Sequence, residues 1–193
     1  MTSSPLKKLS EAEYLSSEPL SPHRREYVDG FVYTLPADTP TAQAGATSRH
    51  GTVATNLVAA LHAPARRLGC RVYASDMRVR IPTHGTRYYY PDILVTCEDM
   101  PDDARYTNAP CLIAEILSDS TQDTDRREKL WAYQQLPSLQ GYLLVDTGAR
   151  AARLYTRTGN SWSEAYVEGA GALTLPCVNI SVSLDEMYEG TAL

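Results

Sequence analysis

Two acidic residues stand inside apolar, strand-like stretches of this sequence. Asp92 follows Pro91 and precedes the apolar run 93–95, and Glu115 is the single charged residue of the stretch 112–117. A carboxylate buried there without a partner costs roughly several kcal/mol, so it needs a cation or a hydrogen-bond donor nearby. Two carboxylates on adjacent strands can share a divalent cation, and Mg²⁺ typically takes only one or two of them. The pair therefore predicts a metal site suited to hydrolysis.

A lysine follows the second acid on a segment with helical periodicity, predicted over residues 121–136. An ammonium group beside a metal site can stabilise the charge that develops during hydrolysis or position the attacking water. In the competing, purely structural interpretation, Lys129 neutralises Glu115 or pairs with Asp125 at the i, i+4 spacing of a helix. The residues alone leave both interpretations open.

The charge balance limits the classes of nucleic-acid-binding protein. The chain has 18 Lys and Arg against 23 Asp and Glu, a formal net charge of −5. A protein that coats nucleic acid through a broad basic surface needs the opposite balance. A nuclease with a locally basic cleft is compatible with it. Neither a Gly-x-Gly-x-x-Gly motif nor a phosphate-loop lysine motif occurs, so nucleotide-cofactor chemistry has no support.

The length of 193 residues predicts one domain, residues 23–193, preceded by an N-terminal arm, residues 1–22. No stretch approaches the about 18 to 20 apolar residues that cross a bilayer, and the start lacks the apolar segment of a secretory signal. We therefore expect a cytoplasmic protein without a membrane partner. Its four cysteines are far apart and form no Cys-x-x-Cys pair, which favours small buried side chains over disulfides or zinc ligands.

Periodicity and turn residues predict a chain of mixed helices and strands. A short capped helix is expected at 9–15, a hairpin around Asp29-Gly30 and a long helix over 48–68. Buried strands follow at 88–96 and 111–117, then the second main helix, a meander over 141–167 and a closing helix at 183–188. The expected fold class is α/β (α+β), a mixed central sheet flanked by helices with an antiparallel meander after the second main helix.

Several short motifs occur in a fixed order along the chain. They are Arg25-Glu26-Tyr27-Val28-Asp29-Gly30, His50, Ser75-Asp76-Met77-Arg78-Val79, Tyr90-Pro91-Asp92, Ala114-Glu115-Ile116-Leu117-Ser118, Asp125-Arg126-Arg127-Glu128-Lys129 with Tyr133, and Gly141-Tyr142-Leu143-Leu144-Val145-Asp146. Together they resemble the Uma-two family of restriction-endonuclease-like proteins in the PD-(D/E)XK nuclease superfamily. The resemblance covers residues 24–188 and implies a restriction-endonuclease-like fold.

The resemblance also implies roles for individual residues. By that similarity, Asp92 and Glu115 are metal ligands and Lys129 is the catalytic lysine. Glu26 and Asp76 match further family acids, which implies a third ligand or a partner of the lysine. A purely structural role for Glu26 and Asp76, as ordinary acids of a turn or a strand end, is an equally acceptable interpretation.

The chain departs from the superfamily pattern at one position. Leu117 stands two residues after Glu115, where the superfamily places its lysine. The family places this lysine on the following helix, and the long side chain of Lys129 can reach back over the sheet. His50 is interpreted as a polar residue at a helix start instead of a ligand.

These expectations combine into a Mg²⁺- or Mn²⁺-dependent endonuclease that hydrolyses phosphodiester bonds of DNA. We expect a homodimer, since cutting both strands of a duplex would use two sites. One alternative is a catalytically inactive, dimeric nucleic-acid-binding or protein-interaction module on the same fold, which Leu117 and the acidic balance favour. Another is an acid/base pair acting on a glycoside, which the scarcity of tryptophan disfavours.

Overall fold

The computed structural model describes residues 8–35, 47–117 and 128–193. Its helices and strands follow one another in chain order as α1 (Glu11–Ser17), a 3₁₀ turn (Glu18–Leu20), β1 (Arg25–Val28), β2 (Phe31–Thr34), α2 (Ser48–Arg67), β3 (Arg71–Ala74), β4 (Arg78–Ile81), β5 (Arg87–Tyr89), β6 (Ile93–Thr96), β7 (Tyr106–Thr107), β8 (Pro110–Leu117), α3 (Leu130–Gln134), β9 (Gly141–Asp146), β10 (Ala151–Thr158), β11 (Ser161–Glu168), β12 (Ala172–Leu175), β13 (Ile180–Ser183) and α4 (Leu184–Met187).

Within these residues the strands form two main sheets and a separate hairpin. The six-stranded sheet has the order β11-β10-β9-β8-β6-β3, in which β8 and β9 are parallel and the other neighbours antiparallel. The five-stranded sheet has the order β2-β1-β5-β4-β7, with β4 and β7 parallel. Both sheets are mixed, and β9 to β11 form the predicted meander, which confirms the expected fold class. Strands β3 and β4, although adjacent in the chain, belong to different sheets.

Strands β6 and β8 lie inside the larger sheet, and every residue of both is buried, as their apolar composition predicts. Alternation divides their side chains between two cores. Ala114 and Ile116 of β8 pack in the core that α2 covers, with Val53, Leu57 and Leu61. Ile113 and Leu117 pack on the opposite side, in the core that includes the smaller sheet and α3. Glu115 therefore lies on the face that is turned toward the smaller sheet.

Helix α2 begins at the predicted residue. Thr47 caps it, because the Thr47 side chain accepts the His50 backbone N–H at 3.2 Å. Pro64 lies inside the helix without ending it, and Gly69, at φ +73°, follows its end. The buried side chains recur at helical spacing and are Val53, Leu57, Leu61 and Ala65. No helix in the described residues is both long and apolar enough to span a bilayer.

Helix α1 packs on the smaller sheet through an aromatic cluster. Ser10 and Glu13 form the predicted capping box, in which each side chain accepts a hydrogen bond from the backbone N–H of the other residue. Tyr14 is fully buried, with its ring centroid 5.0 Å from that of Tyr27 and 5.3 Å from that of Tyr88. The described part of the predicted arm is thereby attached to the sheet.

The second main helix is described only in its last part. Residues 128–129 form a wider helical turn that continues into α3. The earlier part of the predicted helix, including Asp125, lies outside the described residues, as does Ser118 of the quoted motifs. The alternative pairing of Asp125 with Lys129 is therefore not addressed by the structure.

The cysteines correct the sequence interpretation. Cys70 forms a disulfide with Cys97, and Cys111 forms one with Cys177, across 27 and 66 residues of sequence. The expectation of unpaired cysteines was wrong because it rested on their spacing along the chain. Residues that are distant in sequence become neighbours where strands pair, and no local motif records this.

A glycine at the start of β9 provides a test of core packing. A Cβ on Gly141 would lie 2.6 Å from Pro176 Cγ and 2.9 Å from Leu112 Cδ1. We expect Gly141→Ala to lower the free energy of unfolding by roughly 1–3 kcal/mol through overpacking. The matched control is Gly51, exposed on α2 with nothing within 4 Å of the added Cβ. Gly51→Ala should raise the free energy of unfolding by about 0.5–1 kcal/mol, because alanine favours a helix more than glycine does. Urea unfolding measures both, and equal effects would contradict the packing argument.

Candidate active site

The candidate site lies between the two main sheets, where the chain passes from β5 to β6. Asp92 directly precedes β6. The antiparallel register pairs Ile93 with Ala114, so extending the ladder by one residue places Asp92 opposite Glu115. Residues opposite each other on antiparallel strands share a face and have neighbouring side chains.

The two acids are held by each other's strands. The backbone N–H of Asp92 donates to Glu115 Oε2 at 3.3 Å, and the backbone N–H of Ile116 donates to Asp92 Oδ2 at 2.7 Å. The Glu115 side chain is 4 % exposed, whereas that of Asp92 is 26 % exposed. Among the residues that the structure describes, none donates to Asp92 Oδ1. Asp92 therefore presents the oxygen that is open to a ligand.

Lys129 joins the acids of the two sheets. Its Nζ lies 3.2 Å from Glu26 Oε1 and 3.5 Å from Glu115 Oε1, and its side chain is 7 % exposed. Tyr133, one helical turn later, donates its hydroxyl to Glu115 Oε1 at 3.2 Å. The two side chains can reach the same carboxylate because residues i and i+4 share one side of a helix. The ammonium also lies 5.7 Å from the ring centroid of Tyr89.

Glu26 is the contribution of the smaller sheet. It lies in β1, its side chain is 13 % exposed, and Oε1 also accepts the backbone N–H of Tyr90 at 3.3 Å. Among the described residues, the site thus combines the carboxylates of Glu26, Asp92 and Glu115 with the Lys129 ammonium. Carboxylate oxygens are the ligands that Mg²⁺ and Mn²⁺ prefer.

Helix α2 brings a histidine to the site that sequence reasoning did not assign to it. His50 Nε2 lies 3.3 Å from Asp92 Oδ2. The hydrogen bond with Asp92 raises the pKa of His50, against the opposing effect of burial. Among the described residues of the site, His50 and Tyr133 were missed by residue-level reasoning. Their presence among the motifs that resemble the Uma-two family was the available signal.

Asp76 lies beside the other predicted site residues without joining them. Its side chain is 85 % exposed, with Oδ1 3.7 Å from Arg24 Nη1. The neighbouring Ser75, at φ +65°, donates its backbone N–H to the Asp92 carbonyl at 2.8 Å. Of the five predicted residues, the structure brings Glu26, Asp92, Glu115 and Lys129 into contact and places Asp76 at the adjoining turn.

A cavity of about 330 Å³ adjoins this turn. Asp76, Glu18 and Tyr90 contribute to its lining together with Arg78. Arg78 is 3 % exposed and donates through Nε to the Arg105 carbonyl at 3.2 Å, while its Nη1 has no partner among the described residues. The cavity therefore combines two acids with a buried, incompletely bonded guanidinium.

The sequence profile of the Uma2 family, described as "Putative restriction endonuclease", matches residues 12–185. The chain belongs to the Uma2 family. Two proteins of Synechocystis sp. are similar to it, each 31 % identical and each described as uncharacterized. The protein slr1290 aligns over 98 % of this chain and 96 % of its own length, and sll1609 over 79 % and 82 %.

A crystal structure from Anabaena variabilis, described as a putative nuclease belonging to DUF820, has a similar fold. It superposes with a TM-score of 0.70 over 92 % of this chain and 96 % of that chain, at 17 % sequence identity. At that identity the likeness concerns the fold alone. This Uma2 member thus has the architecture that the motif series implied, which confirms the family resemblance and the fold class together.

The contact between His50 and Asp92 predicts a titration in the metal-free protein. We expect the pKa of His50 to lie above 6.5, and Asp92→Asn to lower it, because the substitution removes the charged acceptor. The pair stabilises the fold below about pH 6.5, and this contribution is lost as the pH rises through the folded-state pKa. NMR titration of the His50 imidazole measures this pKa in the wild type and in Asp92→Asn. Asp185→Asn, at an exposed acid, is the control and should leave the His50 curve unchanged; an unchanged curve in Asp92→Asn would refute the coupling.

The buried contact of Lys129 with Glu115 predicts a measurable coupling. Lys129→Met leaves Glu115 and Glu26 without their ammonium and should lower the free energy of unfolding by roughly 3–5 kcal/mol. Adding Glu115→Gln removes the buried charge and should recover part of the loss, with a coupling energy of about 0.5–3 kcal/mol. Denaturation of the wild type, both single variants and the double variant closes the cycle. Strictly additive losses would argue against a direct interaction.

Proposed function

We propose that this Uma2 member is an endonuclease that hydrolyses phosphodiester bonds of DNA with Mg²⁺ or Mn²⁺ held by Asp92 and Glu115. The observation that carries the proposal is the interlocked pair of carboxylates on adjacent strands, with Lys129 against the inner one. The family description of a restriction endonuclease supports the same class of reaction.

The donor set fits a hard divalent cation. Asp92 and Glu115 offer carboxylate oxygens from opposite positions of two paired strands, and Asp92 is partly exposed. A site with two protein carboxylates leaves the remaining coordination positions to water and substrate phosphate, as is usual for Mg²⁺. When bound, the ion would polarise the phosphate and lower the pKa of a bound water.

The chain's own residues orient the acids and supply positive charge. The Ile116 N–H and His50 both contact Asp92 Oδ2, which leaves Oδ1 without a donor among the described residues. Tyr133 and Lys129 hold Glu115 in one position. In the proposed reaction the Lys129 ammonium stabilises the negative charge that develops on the phosphate oxygens, and Glu26 keeps this ammonium in place.

The neighbouring cavity offers a contact for the substrate. The Arg78 guanidinium in its wall supplies positive charge of the kind that attracts phosphate, and the ring of Tyr90 lies 5.8 Å from the guanidinium. The exposed carboxylate of Asp76 adds acceptors to the same lining. A mixed lining of this sort suits a nucleotide, which carries both a phosphate and base-edge donors.

Plasmid cleavage tests the proposed reaction. Supercoiled DNA with Mg²⁺ or Mn²⁺ should be nicked by the wild type, and Asp92→Asn or Glu115→Gln should reduce the rate by at least about 100-fold, because each substitution removes a charged metal ligand. The control is Glu168→Gln, at an exposed acid of the edge strand β11, which should retain the wild-type rate. Equal nicking by all four proteins would refute the assignment. Single-stranded RNA as a second substrate distinguishes DNA from RNA.

The position of Lys129 favours one second candidate, a dimeric nucleic-acid-binding or protein-interaction module without turnover. The ammonium is already shared by two carboxylates, and the chain carries an overall charge of −5. Calorimetric titration with Mg²⁺ and Mn²⁺ separates the candidates. Heat that saturates in the wild type and is absent in Asp92→Asn supports the nuclease; no binding at millimolar ion supports the module. Light scattering on the same samples measures whether the proposed homodimer forms.

A further inference from the structure

Four cysteines from separate parts of the chain meet at one place. Cys70 directly precedes β3, Cys97 directly follows β6, Cys111 lies in β8, and Cys177 lies between β12 and β13. The two disulfides are neighbours, since the Sγ atoms of Cys97 and Cys111 are 3.9 Å apart. The Sγ atoms of Cys70, Cys97 and Cys177 all lie within 4.8 Å of one another. The sulfurs thus form one cluster.

This cluster is distinct from the carboxylate site. Asp92 precedes the first residue of β6 and Cys97 follows its last, so the two sites lie at opposite ends of that strand. Glu115 and Cys111 are similarly separated along β8 by four residues, about 13 Å of extended chain. A ligand bound by the sulfurs would therefore not share ligands with the proposed nuclease metal.

The spacing of the sulfurs matches a tetrahedral metal site. Zinc bound by four cysteine thiolates has Zn–S distances of about 2.3 Å, which places neighbouring sulfurs about 3.8 Å apart. The 3.9 Å between Cys97 and Cys111 is close to that spacing, and the sulfurs of Cys70, Cys97 and Cys177 lie within 4.8 Å of one another. For all four sulfurs to surround one ion, each bonded pair must open and Cys111, which lies outside the group of three, must move closer to Cys70.

We propose that in the reduced protein these cysteines form a structural Zn²⁺ site, and that the two disulfides are its oxidised, metal-free state. Each disulfide is reduced by two molecules of a low-molecular-weight thiol, whose sulfurs join in a new disulfide while their two protons pass to the freed cysteines. Zn²⁺ then replaces the four protons of the four thiols and forms four Zn–S bonds.

The surroundings give a reducing thiol a point of entry. Cys97 is exposed and Cys177 is half-buried, whereas Cys70 and Cys111 are 5 % and 6 % exposed. Exchange therefore begins at Cys97, the sulfur that an external thiolate can reach. Once released as a thiolate, Cys97 lies 3.9 Å from Cys111 Sγ and attacks the second disulfide there, which releases Cys177; further external thiol then reduces the bond between Cys97 and Cys111. Zinc then replaces the disulfides as the link between the end of α2, the larger sheet and the β12–β13 hairpin.

Metal titration of the full chain tests this proposal. The protein is reduced with excess thiol under anaerobic conditions, its free thiols are counted, and Co²⁺ and then Zn²⁺ are added after the reductant is removed. We expect four reactive thiols, a thiolate-to-cobalt charge-transfer absorption that saturates at about one ion per chain, and its loss when Zn²⁺ is added. Oxidation back to two disulfides should release the metal.

Two sets of variants locate the site. Cys97→Ser and Cys111→Ser should each weaken Co²⁺ binding at least about tenfold, whereas Asp92→Asn combined with Glu115→Gln should leave the charge-transfer signal unchanged. Should the cysteine variants not fold, the comparison of reduced and oxidised wild type remains decisive. Four free thiols without a charge-transfer band, a Co²⁺ spectrum without sulfur ligation, or disulfides that resist excess thiol in the folded protein would each overturn the proposal.

Discussion

The burial of Glu115 in the middle of β8 is the constraint on which the site depends. A charged carboxylate that is 4 % exposed must receive donors from whatever packs against it. Those donors come from separate segments: the Asp92 N–H before β6, the Tyr133 hydroxyl on α3 and the Lys129 ammonium just before α3. Satisfying the charge of Glu115 therefore fixes the relative positions of two strands and a helix. It also positions Asp92, the partly exposed acid, beside Glu115.

Much of this could be predicted from the order and alternation of residues. The run around Glu115 predicted a strand buried on both faces, with the acid on the side of Ile113 and Leu117, and the structure has this arrangement. The Asp29-Gly30 hairpin and the capping box at Ser10 were equally local signals. They were predictable because backbone sterics and short-range hydrogen bonds decide them.

Features that depend on how distant segments pack could not be read in this way. The contact between His50 and Asp92 requires the first turn of α2 to reach the start of β6, and the convergence of the cysteines requires separate segments of the chain to meet. The chain from Cys70 to Ile81 has one alternating pattern but contributes strands to two sheets. Its break at Ser75, a non-glycine residue at φ +65°, has no distinctive sequence signal.

The lysine that lies between two glutamates has a consequence for how the molecule tolerates change. Glu26 belongs to one sheet and Glu115 to the other, so the ammonium is positioned by the gap between layers and not by either layer alone. A substitution anywhere in the intervening core that widens this gap would alter the electrostatic potential at the acids without touching them. Side chains beyond the acids themselves, such as Tyr142 packed against Tyr133, thereby become part of its tuning.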